Sequence, residues 1–373
     1  MPAADKINHP PVAPVDARAL QDLADRLGRR RSTHRAAAPL GISPDRLEQL
    51  VHLWANRFDW RAIEAGQSSL GGAVTTVADG GRLHYLHVPA AGPASGDRRA
   101  FAVVLLHGWP DTTFQFRHLI PRLRDAGVAV VAPTAPGFGH SDEPAGELSP
   151  DLVARDVHEL LSALGYHHYV VHGSDWGATI GATIAGMFPE AVAGLHLLQP
   201  PFDRLFLVDR ATASPAEVAY LRQMDQWGAT AVHVSAHLYQ ADTLAAAFDD
   251  SPVGLLAWLA EKYDAWSGPG LADDDIVAAV ATMWFTGTCR SSIRLYSAPA
   301  PSWDETDAGA PKLEVPTAFA LFPDDIGTPP REFCDRFFDV RRFTVMPRGG
   351  HWAALEEPGL LADDLIAWTA ALS

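Results

Sequence analysis

The stretch HYVVHGSDWGATIGATIAGMFP, residues 168–189, constrains the fold more than any other part of the chain. A short apolar, β-branched run stops at Gly173-Ser174-Asp175-Trp176-Gly177, and a helix-forming run starts immediately after it. A strand that turns into a helix within so few residues needs small residues on both sides of a strained central one. Its neighbours repeat the alternation. FAVVLLHGWP (101–110) reads as a buried strand ending in a tight turn, and VAVVAPTAPGFGHSD (128–142) as a strand breaking into a Gly-Pro loop. SPDLVARDVHELLSAL (149–164) is a helix capped by Ser149 with Pro150 in its first turn, and AVAGLHLLQPP (191–201) is a fourth strand. Strands alternating with helices predict an α/β unit with a parallel sheet.

The flanks differ in texture. Residues 1–100 read as irregular, with one amphipathic helix from Ile42 to Phe58 that Ser43 would cap. AVTTVA and RLHYLHV, joined across Asp79-Gly80-Gly81, predict a hairpin, and AAGPASGDRR (90–99) a linker. From 201 to 299 the segments turn helical and rich in Trp and Tyr, as in VGLLAWLAEKYDAW and DIVAAVATMWF. Strand–helix alternation resumes with PTAFALFPDD and RRFTVMPRGGH and closes with PGLLADDLIAWTAAL. One α/β unit is therefore interrupted by a helical insert.

Composition excludes several classes of function. With 47% hydrophobic and 20% charged residues, the 373-residue chain has the material for a large core. A formal net charge of −16 argues against nucleic acid or an anionic membrane as partner, since phosphates are met by basic surface. No apolar run reaches the about 18 residues of a membrane-spanning helix, and the first twenty residues hold no continuous apolar segment of a secretory signal. Cys289 and Cys334 cannot make a disulfide framework and fit a reducing compartment. A soluble, cytoplasmic protein is expected.

The candidate chemistry centres on Asp175. A carboxylate at the nucleophile position of such an elbow is ionised at neutral pH and attacks without a base, which suits displacement at an sp3 carbon and an ester intermediate. The plainer reading is a loop with a helix-capping Asp. His107-Gly108-Trp109-Pro110 follows the first core strand; the backbone amides of Trp109 and Trp176 are candidate oxyanion donors, and His107 reads as a structural histidine. His351 comes late, after a predicted strand, and an acid should precede it at the end of PTAFALF, where Asp324 and Asp325 stand.

Together, LVHLWANRFDWRAIE, HGWPDTTFQF, PGFGHSD, GSDWGA, DSPVGLLAWLAEKYDAW and RGGHWAALEEP resemble the α/β-hydrolase superfamily, and within it the epoxide hydrolases of the microsomal type. The resemblance covers nearly the whole chain. It implies an α/β-hydrolase fold with a helical cap and an N-terminal meander: meander 1–100, core 101–200, cap 201–299 and core 300–373. It implies a triad of Asp175, His351 and Asp325, the acid being three positions after Phe322, with Asp324 as the fallback. Two cap tyrosines would hydrogen-bond the epoxide oxygen. One position corresponds to Tyr296 in SSIRLYSAP, and the other to His233, a departure from the family pattern; a local shift would put His237 or Tyr239 there. As imidazolium, His233 would be a stronger acid than tyrosine. The implied reaction converts a small-molecule epoxide to a vicinal diol without metal or organic cofactor. The animal enzymes' membrane-anchoring helix has no counterpart here, which implies a soluble bacterial-type relative. A homodimer is left open. Haloalkane dehalogenation, epoxide opening by an internal nucleophile of the substrate, and an inactive binding module on the same fold are the alternatives.

Overall fold

The apolar runs of the central segment form the middle of an eight-stranded sheet in a computed structural model that describes residues 12–31, 40–90, 101–299, 301 and 311–372. The strands are β1 (Gly72–Thr76), β2 (Arg82–Val88), β3 (Ala102–Leu106), β4 (Ala129–Pro133), β5 (Tyr169–Gly173), β6 (Val192–Leu197), β7 (Leu313–Leu321) and β8 (Phe338–Val345). Their order is β1-β2-β4-β3-β5-β6-β7-β8; β2 is antiparallel to both its neighbours and every other pair is parallel. Every residue of β3, β4 and β5 is buried, as parallel strands covered by helices on both faces require. Strand order reverses at β3, and ligands of open α/β sheets bind beyond the carboxyl ends of the strands at such a point.

Before the sheet come α1 (Ala17–Gly28), α2 (Pro44–Asn56) and α3 (Trp60–Ser69). The sequence pattern predicts one helix there, so this is a correction. The two additional helices are short of buried apolar residues, α1 burying only Leu23 and Leu27 and α3 only Trp60. The hairpin β1–β2 forms as expected, with Asp79 accepting from Gly81 N at 2.9 Å. Through β2 it joins the main sheet, so the first hundred residues contribute two of the eight strands. The linker read at 90–99 lies, beyond Ala90, outside the described residues.

The crossovers between parallel strands carry α4 (Leu119–Asp125), α5 (Pro150–Ala163) and α6 (Trp176–Met187). Ser149 caps α5 by accepting from Leu152 N, and Ser43 caps α2 from Arg46 N. The insert is α7 (Pro215–Thr230), α8 (Val232–Phe248, kinked at Gln240), α9 (Pro252–Trp266), α10 (Asp273–Thr286) and α11 (Cys289–Ile293). It is followed by α12 (Arg331–Phe337), α13 (Ala353–Glu356) and α14 (Pro358–Ala371). The leader clasps the insert: Leu50, Val51 and Trp54 of α2 share one apolar core with Leu256, Leu259 and Val277, each such side chain contributing about 1.5–3 kcal/mol of burial. Arg46 bridges Asp264 at 2.8 Å and Asp273 at 2.7 Å, joining α2 to α9 and α10. Among the described residues no helix is long and apolar enough to cross a membrane.

Candidate active site

Asp175 stands between β5 and α6 with φ +53°, the one non-glycine residue with positive φ among the described residues. An L-residue reaches that conformation only where its surroundings enforce it. A Cβ on Gly173 would lie 2.2 Å from the Gly177 carbonyl oxygen, so the turn is too tight for a side chain there. Across the site, a Cβ on Gly108 would lie 2.4 Å from Asp175 Oδ1, and this closeness lets the loop after β3 hand its backbone to the carboxylate. Trp109 N donates to Asp175 Oδ1 at 2.8 Å, and the Trp176 amide, at the start of α6, lies close enough to lower the pKa of the same carboxyl. Both amides expected to bind an oxyanion therefore face Asp175. Burial pushes the Asp175 carboxyl above its ordinary range, while His351 and the two amides pull it back.

His351 follows β8 and Asp325 follows β7. His351 Nδ1 lies 2.6 Å from Asp325 Oδ1. A carboxylate only accepts, so Nδ1 carries the proton and Nε2 is left as the base. Nε2 faces Asp175 Oδ2 at 3.8 Å, beyond hydrogen-bond length. Burial alone would lower the pKa of the imidazole; Asp325 and then Asp175 and Glu356 outweigh it, and the net shift is upward. Asp324, the fallback, instead donates its amide to Gly349 O at 3.0 Å, and its carboxylate points toward Gly268. His107 is a structural histidine as read, its Nε2 accepting from Ala135 N at 3.0 Å.

Above Asp175 the insert roofs a cavity of about 520 Å³, walled by Phe202, Leu221, Met224, Trp227 and Trp266. Tyr296 and His233 both line it opposite the carboxylate. Tyr296 is held by the turn after α11, which is pinned to the core by Ser291 Oγ donating to Gly137 O at 2.6 Å and by an Arg294–Glu143 ion pair at 3.0 Å. Burial, with the charge of Asp175, raises the phenol well above its ordinary value, so it stays a donor. His233 opens α8 and stacks on Trp109, with ring planes 8° apart and centroids 6.0 Å apart. Burial, then Lys262 and His351, push its imidazole down to about 3. His233 is thus a neutral ring with one N–H to offer, rather than the imidazolium that would be the stronger acid. His237 sits behind the wall, its Nε2 accepting from Trp258 Nε1 at 3.1 Å, and Tyr239 is 79% exposed and faces away. The shifted register is thereby corrected as well, because α8 turns only His233 of these three into the cavity.

Sequence reasoning missed Trp266, whose ring lies 5.1 Å from His233 and 5.4 Å from His351 and so joins the cavity wall to the base. The density of tryptophan in the insert was the available signal. Another cavity, of about 480 Å³, lies under the leader beside Trp60, His84 and His140, away from these groups. Among the described residues no cluster of three or more His, Cys, Asp or Glu side chains is arranged to hold a metal ion.

Residues 102–234 match the family described as alpha/beta hydrolase fold, and residues 9–116 the family described as epoxide hydrolase N terminus. A putative epoxide hydrolase of Stigmatella aurantiaca is 31% identical, over 94% of this chain and 82% of that protein. Epoxide hydrolase 1 of Sus scrofa is 28% identical, over 87% of this chain and 80% of its own length. The structure of Aspergillus niger epoxide hydrolase superposes with a TM-score of 0.85 at 24% identity, covering 100% of this chain and 98% of that one. The juvenile hormone epoxide hydrolase of the silkworm Bombyx mori superposes with a TM-score of 0.82 at 22% identity, covering 99% and 96%. At those identities the structural likeness speaks for the fold.

Proposed function

Because this chain belongs to the epoxide hydrolase family of the α/β-hydrolase fold, we propose that it hydrolyses a small-molecule epoxide with Asp175 as nucleophile, His351 as base and Asp325 as the acid that orients it. Tyr296 and His233 hydrogen-bond the epoxide oxygen, and the Trp109 and Trp176 amides form the oxyanion hole. One observation carries this reading. A strained carboxylate at the floor of the cavity has Oδ1 on a backbone amide at 2.8 Å and Oδ2 facing His351 Nε2 at 3.8 Å, under two neutral donors.

In the first step Asp175 Oδ2 attacks an epoxide carbon. The carbon–oxygen bond of the ring breaks, and the oxygen leaves as an alkoxide that takes a hydrogen bond and then a proton from the Tyr296–His233 side. An ionised carboxylate needs no base for this attack. Its burial removes water that would otherwise damp its nucleophilicity, and the N-terminus of α6 favours the charge. In the second step His351 Nε2 takes a proton from water, and the hydroxide adds to the ester carbonyl. The Trp109 and Trp176 amides hold the resulting oxyanion, as preorganised donors at about 2.7–3.1 Å do. Collapse expels the second oxygen, which takes its proton from the His351 imidazolium; the carboxylic acid formed at Asp175 gives its proton back to the Tyr296–His233 side, and the diol leaves with every group restored. The apolar walls of the cavity support an apolar epoxide as substrate, and the exposed Arg210–Asp225 pair stands among the residues lining it.

The test is His351→Gln. Alkylation should proceed and hydrolysis stall, so intact mass spectrometry should find protein plus one substrate, with the adduct mapping to Asp175. A variant that turns over without any adduct contradicts the assignment.

A further inference from the structure

Glu356 ends α13, five residues past His351, and the two-step chemistry does not use it. Its carboxylate is buried and gathers three backbone amides. Oε2 accepts from Gly268 N at 2.7 Å and from Gly350 N at 3.0 Å, and Oε1 accepts from Trp352 N at 3.1 Å. Gly350 and Trp352 flank His351, whereas Gly268 belongs to the helical insert, just past α9. The same seam is closed by His351 N donating to Trp266 O at 2.8 Å. The two backbones meet so closely that a Cβ on Gly350 would lie 2.5 Å from that carbonyl oxygen. One carboxylate therefore grips both the loop that carries His351 and the residue two past Trp266, which ends α9 and whose ring also walls the cavity.

A carboxylate suits this place because all three neighbours donate; an amide or a protonated acid would turn a hydrogen toward one of them. Burial pushes the Glu356 carboxyl up to about 7 against those amides and His351, so the clasp is in its ionised form above about neutral pH and loosens below it. The charged and titratable groups facing His351 are Asp325, Asp175, Glu356 and, from the insert, His233. Asp324 approaches the seam as well, since its Oδ2 and Glu356 Oε2 both border Gly268. The Arg348–Glu357 pair lies outside it, with Arg348 exposed.

Resting on the assignment of His351 as the base, we propose that Glu356 is a positioning residue, a clasp that ties the helical insert to the His351 loop and fixes the imidazole for ester hydrolysis. It acts on the second step alone, because Asp175 attacks without His351. A misplacement of about 1 Å in a catalytic group can cost about 10²-fold.

The experiment is rapid mixing of excess full-length enzyme with styrene oxide as probe, following adduct formation and decay by intact mass across pH. Glu356→Gln should leave alkylation unchanged and slow adduct decay by up to about 10²-fold. Its acid limb should move to lower pH, because a charge that raises His351 is gone. Glu356→Asp should recover part of the rate and return the limb toward its original place. Gly268→Ala crowds the insert side of the clasp and leaves the charge; it should slow decay without moving the limb. A folded Glu356→Gln protein that decays at the wild-type rate, slows both steps alike or keeps its acid limb overturns the clasp. If Glu356→Gln does not fold, unchanged decay in Gly268→Ala overturns it. Absence of an Asp175 adduct in His351→Gln would instead refute the underlying mechanism and is read separately.

Discussion

Replacing His233 by Phe removes one N–H from the cavity wall while keeping a ring to stack on Trp109. The proposed first step opens a strained ether, whose alkoxide leaving group depends on donors at the ring oxygen. A positioned general acid contributes about 10²–10⁴-fold. Two groups line the cavity opposite Asp175, and the Tyr296 phenol stays protonated. Loss of His233 alone should therefore fall at the low end, about 10²-fold, or about 2.7 kcal/mol of barrier. Because burial holds the His233 imidazole down to about 3, its neutral form prevails throughout about pH 5–9, and its titration should leave no inflection in the alkylation rate there. His233→Tyr should recover part of the loss, since a phenol remains a donor to about pH 10. Stopped-flow tryptophan fluorescence reports the step directly, because Trp176, Trp227 and Trp266 line the cavity. Wild-type alkylation in His233→Phe, together with slow alkylation in Tyr239→Phe, would refute the reasoning.

The two neighbouring acids should separate in the second step: Asp325→Asn should slow ester hydrolysis on the order of 10²–10⁴-fold, whereas Asp324→Asn should be mild, as transient adduct decay will show. The pH profile has a defined sign. Hydrolysis needs neutral His351, whose pKa lies above the ordinary 6.5, so adduct decay should fall away on the acid side through that raised value. Alkylation needs ionised Asp175, raised from 3.8 by burial, so adduct formation should show only the carboxylate's acid limb, in the wild type and in His351→Gln alike.

Much of the site is legible along the chain because tight backbone geometry leaves a local signature. Gly173 and Gly177 frame Asp175 for a steric reason that the structure makes explicit, and Trp109 follows a glycine for the same reason. Asp325 and His351 each sit just past a strand, and parallel strands bring such ends to one edge. Other features depend on burial or long-range packing. The neutrality of His233 comes from what covers it, and nothing within α8 announces it. The inward turn of His233 and the outward turn of Tyr239 follow from how α8 packs and kinks. The helices α1 and α3 bury few apolar residues, and their packing against the rest of the chain is long-range. Trp266 reaches both His233 and His351 only because the insert folds back on the core.

The central claim is that Asp175 itself attacks the substrate, and a single turnover in heavy-oxygen water tests it most directly. With enzyme in excess, the first diol should carry an unlabelled oxygen from Asp175, and the peptide containing Asp175 should gain the heavy isotope, because water attacks the ester carbonyl. Label should enter the diol only on later turnovers. Heavy oxygen in the first-turnover diol, with Asp175 left unlabelled, would contradict the account.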